Sequence, residues 1–232
     1  MDLVTHAITG LALGTLSGEP FSVSSPIYLS SMLGAMAPDI DIAWGYKKLQ
    51  RRRDLPCWLQ HRSITHSIFG IPLLALGIAL TLGSLFSGTS FAMLFLFALT
   101  GALSHSLLDL MNCYGVNILW PFKKKAYSLN FIPLFDPILI LFYLFIIATA
   151  NNVIHAAVFP MLFTYIALRW MLLYKMKNNA LKNYDVSPEA IQIIPARINP
   201  RKWILSINEN EITEEVILYP QKNVFKNMIK AK

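Results

Sequence analysis

The chain predicts an all-α polytopic membrane protein of about six helices with a small C-terminal β-hairpin appendage, and three observations carry that expectation. Hydrophobic residues make up 55% of its 232 positions and charged residues 14%, with a mean hydropathy of +0.48, above the usual balance of a soluble domain. Long stretches without charge recur along it, and all 20 lysines and arginines fall in a few connecting segments or the C-terminal part. In such a pattern the net charge of +7 reads as orientation bias and attraction to anionic lipid, with membrane lipids as partners and no nucleic acid expected.

Residues 3–16 and 26–37 are apolar but short of the roughly 20 residues that cross a hydrocarbon core. They read as two shorter N-terminal helices. Four strong transmembrane spans follow at 67–86, 90–108, 132–150 and 153–174, interrupted in charge only by Asp136 in the third and Arg169 in the fourth. Arg169 lies near the end of its span, where a long side chain can snorkel toward the interface. Asp2, where a signal peptide would carry a basic cluster, predicts a retained N-terminus.

From Lys175 the composition turns polar, with Pro188, Pro195 and Pro200 breaking any long helix, and strand formers gather at 203–207 and 215–219 around a polar turn. The expected division is a helical membrane domain over 1–174 and a small cytoplasmic β-hairpin or α/β appendage over 175–232. Too small for a strong core of its own, the appendage is expected to pack on the membrane domain or a partner.

Charge placement predicts the topology. Six basic residues lie between Tyr46 and His66, three at 123–125 and eleven from Arg169 onward, while the connections at 17–25, 87–89 and 151–152 carry none. By the positive-inside tendency the helices form three hairpins in the inner membrane, with both chain ends cytoplasmic.

The same topology sorts the histidines and aspartates. His6 opens the first helix, Asp39 and Asp41 close the second, His61 and His66 precede the third, and His105 and Asp109 lie near the end of the fourth. All fall at the predicted cytoplasmic ends; His155, just past the 151–152 connection, reads as an ordinary interfacial histidine. Ionisable groups at membrane depth cost on the order of 3 kcal/mol each and are usually kept for function with a partner. His105 and Asp109, four apart, project from one helical face. Pro38 biases Ala37 away from helix, which favours a turn where the carboxylates of Asp39 and Asp41 converge. One could bind metal while the other orients a histidine or acts as a base. His61 and His66, five apart, need a loop-to-helix junction to turn inward together, with Ser63 or Thr65 as a candidate N-cap. Asp136 could supply a further carboxylate or cap the helix before Pro137. Asn112, Tyr114 and Asn117 could support ligands or satisfy a helix end. Cys57 and Cys113 form no CxxC pair and read as ordinary reduced thiols.

In order along the chain stand Thr5-His6, Ala37-Pro38-Asp39-Ile40-Asp41, His61-Arg62-Ser63-Ile64-Thr65-His66-Ser67 and Ser104-His105-Ser106-Leu107-Leu108-Asp109. Asn112, Gly115, Trp120-Pro121-Phe122 and Phe135-Asp136-Pro137 come after them. This combination resembles the membrane-bound, metal-dependent hydrolases of the YdjM and YbcI type, over residues 1 to about 175. The resemblance implies distant similarity to zinc-dependent phospholipase C and a phosphoesterase activity through metal-activated water. It implies metal ligands among His6, Asp39, Asp41, His61, His66, His105, Asp109 and Asp136, and no organic cofactor. Nitrogen and carboxylate ligands suit zinc, as one ion or two, with manganese or iron as alternatives. The catalytic expectation falls on Asp39, Asp41 and Arg62, whose planar fork could hold a substrate phosphate. The alternative expectation is a non-enzymatic protein whose metal ties helices together or is transported. Transport needs polar groups continued across the membrane, and the far halves of these helices supply little beyond small hydroxyl residues.

Overall fold

The computed structural model describes residues 1–40, 64–123, 125–149, 152–184, 187–197, 199, 201–209, 212–219 and 222–230, with the course of the chain alone at 152–156 and beyond 207. Among these residues six helices precede a sheet. They are α1 (Leu3–Gly14), α2 (Pro26–Met36), α3 (Gly70–Leu85), α4 (Phe91–Met111), α5 (Pro137–Thr149) and α6 (Asn152–Asn183). Short 3-10 turns extend α1 (Thr15–Ser17) and α2 (Ala37–Asp39).

Local chemistry sets the helix starts. Asp2 accepts the Thr5 N–H at 3.0 Å and caps α1. Pro26, whose fixed φ suits a first helical turn, opens α2. The Ser67 hydroxyl accepts the Gly70 N–H at 3.0 Å at the head of α3. Asp136 accepts from Ile138 and Leu139 at 3.0 and 3.3 Å, with Pro137 in the first helical position of α5.

Packing then brings distant segments together. In hydrocarbon, helices gain little by burying apolar surface against each other and associate where small residues let backbones approach. The seam between α2 and α4 is of this kind. A Cβ on Gly34 would fall 2.2 Å from the Ala98 carbonyl oxygen, and one on Gly101 would fall 2.2 Å from that of Ser31. The Ser30 hydroxyl donates across the same seam to the Leu94 carbonyl. This close approach sets the end of α2 beside the last turns of α4. α1 packs against both α2 and α4, and α3 against α4.

Three expectations are corrected. Among the described residues two helices, not four, are long and apolar enough to cross a membrane: α4 and Ala157–Asn183 of α6. The 16 residues of α3 and the 13 of α5 reach only about 24 and 20 Å at about 1.5 Å per residue, against a hydrocarbon core of about 30 Å. The loss in α5 has a visible cause, because Phe131 and Ile132 donate to the Met111 carbonyl and tie this segment to the end of α4. Helix therefore starts only after Asp136.

Arg169 does not snorkel. It is 3% exposed, its Nε donates to the Phe131 carbonyl at 2.9 Å, and its guanidinium lies 4.4 Å from the centre of the Trp203 ring.

The appendage is a four-stranded antiparallel meander rather than a hairpin: β1 (Ile191–Pro195), β2 (Trp203–Glu209), β3 (Ile212–Tyr219) and β4 (Lys222–Lys230). Ile191, Ile193, Trp203, Leu205 and Ile207 are buried, and Ile191 and Ile193 pair with Ile207 and Leu205. This alternation marks β1 as a strand despite Pro195 at its end. The buried face joins one hydrophobic core with Leu139, Tyr143 and Ile146 of α5 and Leu162 and Met176 of α6.

Candidate metal centre

Four of the sequence-derived ligands converge. Oxygens of Asp39 and Asp109 and ring nitrogens of His66 and His105 lie within 4.8 Å of one another, all four residues buried. Asp39 ends the 3-10 turn after α2, His66 stands in the turn before α3, and His105 and Asp109 occupy successive turns of α4.

The distances resemble the edges of a coordination polyhedron. The Nε2 atoms of His66 and His105 are 3.0 Å apart. Asp39 Oδ1 lies 3.5 Å from the first and 3.6 Å from the second. Asp109 Oδ2 lies 3.9 and 3.8 Å from the same two atoms. A tetrahedral ion with bonds of about 2.0–2.1 Å separates its ligands by about 3.4 Å. The donor set therefore fits an ion without large movement.

Neighbouring groups orient these ligands. His105 Nδ1 lies 2.7 Å from the Ala35 carbonyl oxygen; since a carbonyl only accepts, this nitrogen carries the proton, and Nε2 turns a lone pair toward the cluster. His66 Nδ1 is 3.0 Å from the Thr65 hydroxyl. Asn112 donates to Asp109 Oδ1 at 2.8 Å, and the Met1 amino group contacts the same oxygen. Asp39 Oδ1 is buried without a hydrogen-bond partner, facing the two imidazoles. Burial pushes the Asp39 carboxyl up, but its interaction with His66 and the nearby His105 outweighs that and holds it down at about 2.

His6 is buried against the cluster. Its ring stacks on His105 with centroids 3.7 Å apart, and its Nε2 is 3.5 Å from Asp109 Oδ1. Asp109 thus faces His66 and His105 with one oxygen and His6 with the other.

Asp136 is not brought to this group. It caps α5 and accepts from the Tyr165 hydroxyl at 2.6 Å. Asp41, His61, Arg62, Ser63 and Cys57 lie outside the described residues, as does the side chain of His155. Thr65 meets His66 rather than capping a helix, that task falling to Ser67. Asn112 donates to Asp109, and its side-chain oxygen accepts the Tyr114 N–H at 2.8 Å just past α4. The Ala35 carbonyl and the Met1 amine escaped sequence reasoning, since neither is a side chain and no spacing marks them.

Fold and site together define a mostly helical protein, with two helices long and apolar enough to cross a membrane and a buried two-histidine, two-aspartate centre that could hold a metal ion. The family model described as YdjM inner membrane protein matches residues 1–178, and the chain belongs to that family. The Bacillus subtilis (strain 168) protein described as uncharacterized protein YfhP is 25% identical over 218 residues, which cover 89% of this chain and 65% of that relative. The chain therefore spans just under two thirds of that protein's length. No solved structure matches.

Proposed function

We propose that this protein is a metal-dependent hydrolase of phosphoesters, with zinc as the first candidate ion and manganese or iron as alternatives. The observation that supports it best is the convergence of Asp39, His66, His105 and Asp109, with the His105 tautomer set by Ala35. When bound there, a divalent ion supplies Lewis acidity, lowering the pKa of a coordinated water and neutralising charge on a phosphoryl group. In the reaction, water's oxygen forms a new bond to phosphorus, the bond to the leaving oxygen breaks, and water's proton passes to that oxygen. Asp39, the cluster member with an exposed edge at 8%, is the nearest carboxylate to relay that proton, with Asp41 two residues on. His6 and Asn112 hold Asp109 in place. Arg62 is assigned to the substrate phosphate, and the positive-inside tendency of the basic segments supports a cytoplasmic opening for the site.

The test is hydrolysis by detergent-purified protein of a panel of phosphoesters, before and after chelation. Activity lost on chelation and regained with zinc or manganese is the expected result. Folded, metal-loaded protein that cleaves none of them would sink the proposal.

One observation favours a second reading. His66, His105 and Asp109 are all 0% exposed, as the closed shell of a structural metal would be. Exchange of the bound ion separates the two, because a site open to solvent or substrate exchanges quickly and a closed one does not.

A further inference from the structure

A groove of about 290 Å³ runs between α2 and α3, with Leu33, Ala37 and Ile40 on one side and Leu73, Gly77 and Thr81 on the other. Among the described residues no charged side chain lines it, and its one hydroxyl, on Thr81, already donates to the Gly77 carbonyl at 2.8 Å. A groove with no free hydrogen-bond donor among its side chains favours hydrocarbon over a polar guest. Its rim faces outward, with Ile40 50% and Leu73 64% exposed.

The groove ends beside the metal centre. Ala37 and Ile40, which line its end, bracket Pro38-Asp39. Asp39 is also the member of the cluster that retains an exposed edge, the other three being fully buried. Along α3 the groove follows residues 73 to 82, roughly 13 Å at about 1.5 Å per residue.

We propose that the groove receives an acyl chain of a phospholipid substrate, so that the lipid's phosphoester lies at the Asp39 edge while its tail stays among the helices. This rests on the hydrolase reading and names its substrate class. The bilayer supplies the occupant directly, and a phosphoester presented this way reaches the site without leaving the membrane.

Gly77 offers a clean way to close the groove, since a Cβ there would meet nothing within 4 Å. The experiment compares the full chain carrying Gly77→Phe with Gly77→Ala and wild type, each with its metal content measured. Leu73→Phe, one turn away, substitutes if Gly77→Phe loses its metal. In the first arm, proteoliposomes contain a phospholipid with a diazirine near the end of one acyl chain. Labelling of the facing α2 and α3 residues is expected in wild type and Gly77→Ala and is expected to vanish in Gly77→Phe. Labelling spread evenly over the helices, or unchanged by Gly77→Phe, overturns the proposal.

In the second arm, kcat/KM is measured for a long-chain phospholipid and for a water-soluble phosphoester with the same leaving group. Gly77→Phe is expected to lower the first about tenfold, the equivalent of about two methylenes no longer buried, and to leave the second unchanged. Equal losses on both overturn the groove as a substrate site. If wild type cleaves neither, the hydrolase reading fails with its substrate claim, and the labelling arm still decides whether a lipid chain occupies the groove.

Discussion

Two buried aspartates show what separates a site from a scaffold. Asp136 at the head of α5 accepts two backbone N–H groups and the Tyr165 hydroxyl. Its charge is met by protein donors, as a helix cap requires. Asp39 Oδ1 faces two imidazole nitrogens at 3.5 and 3.6 Å, and among the described residues no backbone or hydroxyl donor meets it. His105 cannot donate from Nε2, because its proton is committed to Ala35. A buried oxygen left without a donor beside a lone pair suits a cation; a buried carboxylate whose two oxygens meet three donors calls for nothing more.

Five substitutions would break or sharpen this contrast. The largest effect is expected from His105→Ala and His66→Ala, each removing one of four ligands: elemental analysis of purified, folded protein should find the stoichiometric metal gone. Metal retained in both would remove the basis for a shared site. Next comes Asn112→Ala, which leaves every ligand in place but frees Asp109 Oδ1 from a 2.8 Å bond. Chelator competition should show affinity weakened by about 10- to 100-fold, the range for residues that hold ligands. Asp136→Asn should do the reverse, keeping full metal content while lowering stability by about 1–3 kcal/mol, the worth of hydrogen bonds to a charged group; a metal loss here would merge the two regions. The smallest effect on the metal is expected from Trp203→Leu, which takes the aromatic face from buried Arg169 and leaves a cavity at a fully buried position. A loss of about 2–4 kcal/mol in an unfolding measurement, with unchanged metal, would mark this contact as a clamp between sheet and helices.

The cluster was legible in sequence because its members fall where apolar segments meet polar loops. A histidine at the head of one helix, aspartate at the foot of the next and an i,i+4 His-Asp pair on α4 follow from topology and helical period alone. What escaped was whatever depends on backbone. The Ala35 carbonyl that fixes His105 has no side-chain signature, and α5 was overextended because hydropathy over 132–150 cannot register that Phe131 and Ile132 bond to Met111. Arg169 illustrates the same limit. At the end of an apolar stretch, an arginine bound for the interface and one bound for a Trp203 ring on a distant strand look alike. In the sheet, Pro195 hid a strand that the Ile191 and Ile193 alternation spelled out once its partner on β2 was visible.

The four ligands come from three separate stretches of chain, with His66 and His105 alone 39 residues apart. They meet because Gly34 and Gly101 let α2 and α4 touch. Such a centre exists only in the folded chain, so an ion that binds it works as a ligand of the native state. Each tenfold rise in free metal above the dissociation constant would add about 1.4 kcal/mol to folding stability, and the protein's thermal midpoint would become a readout of how much metal its surroundings supply.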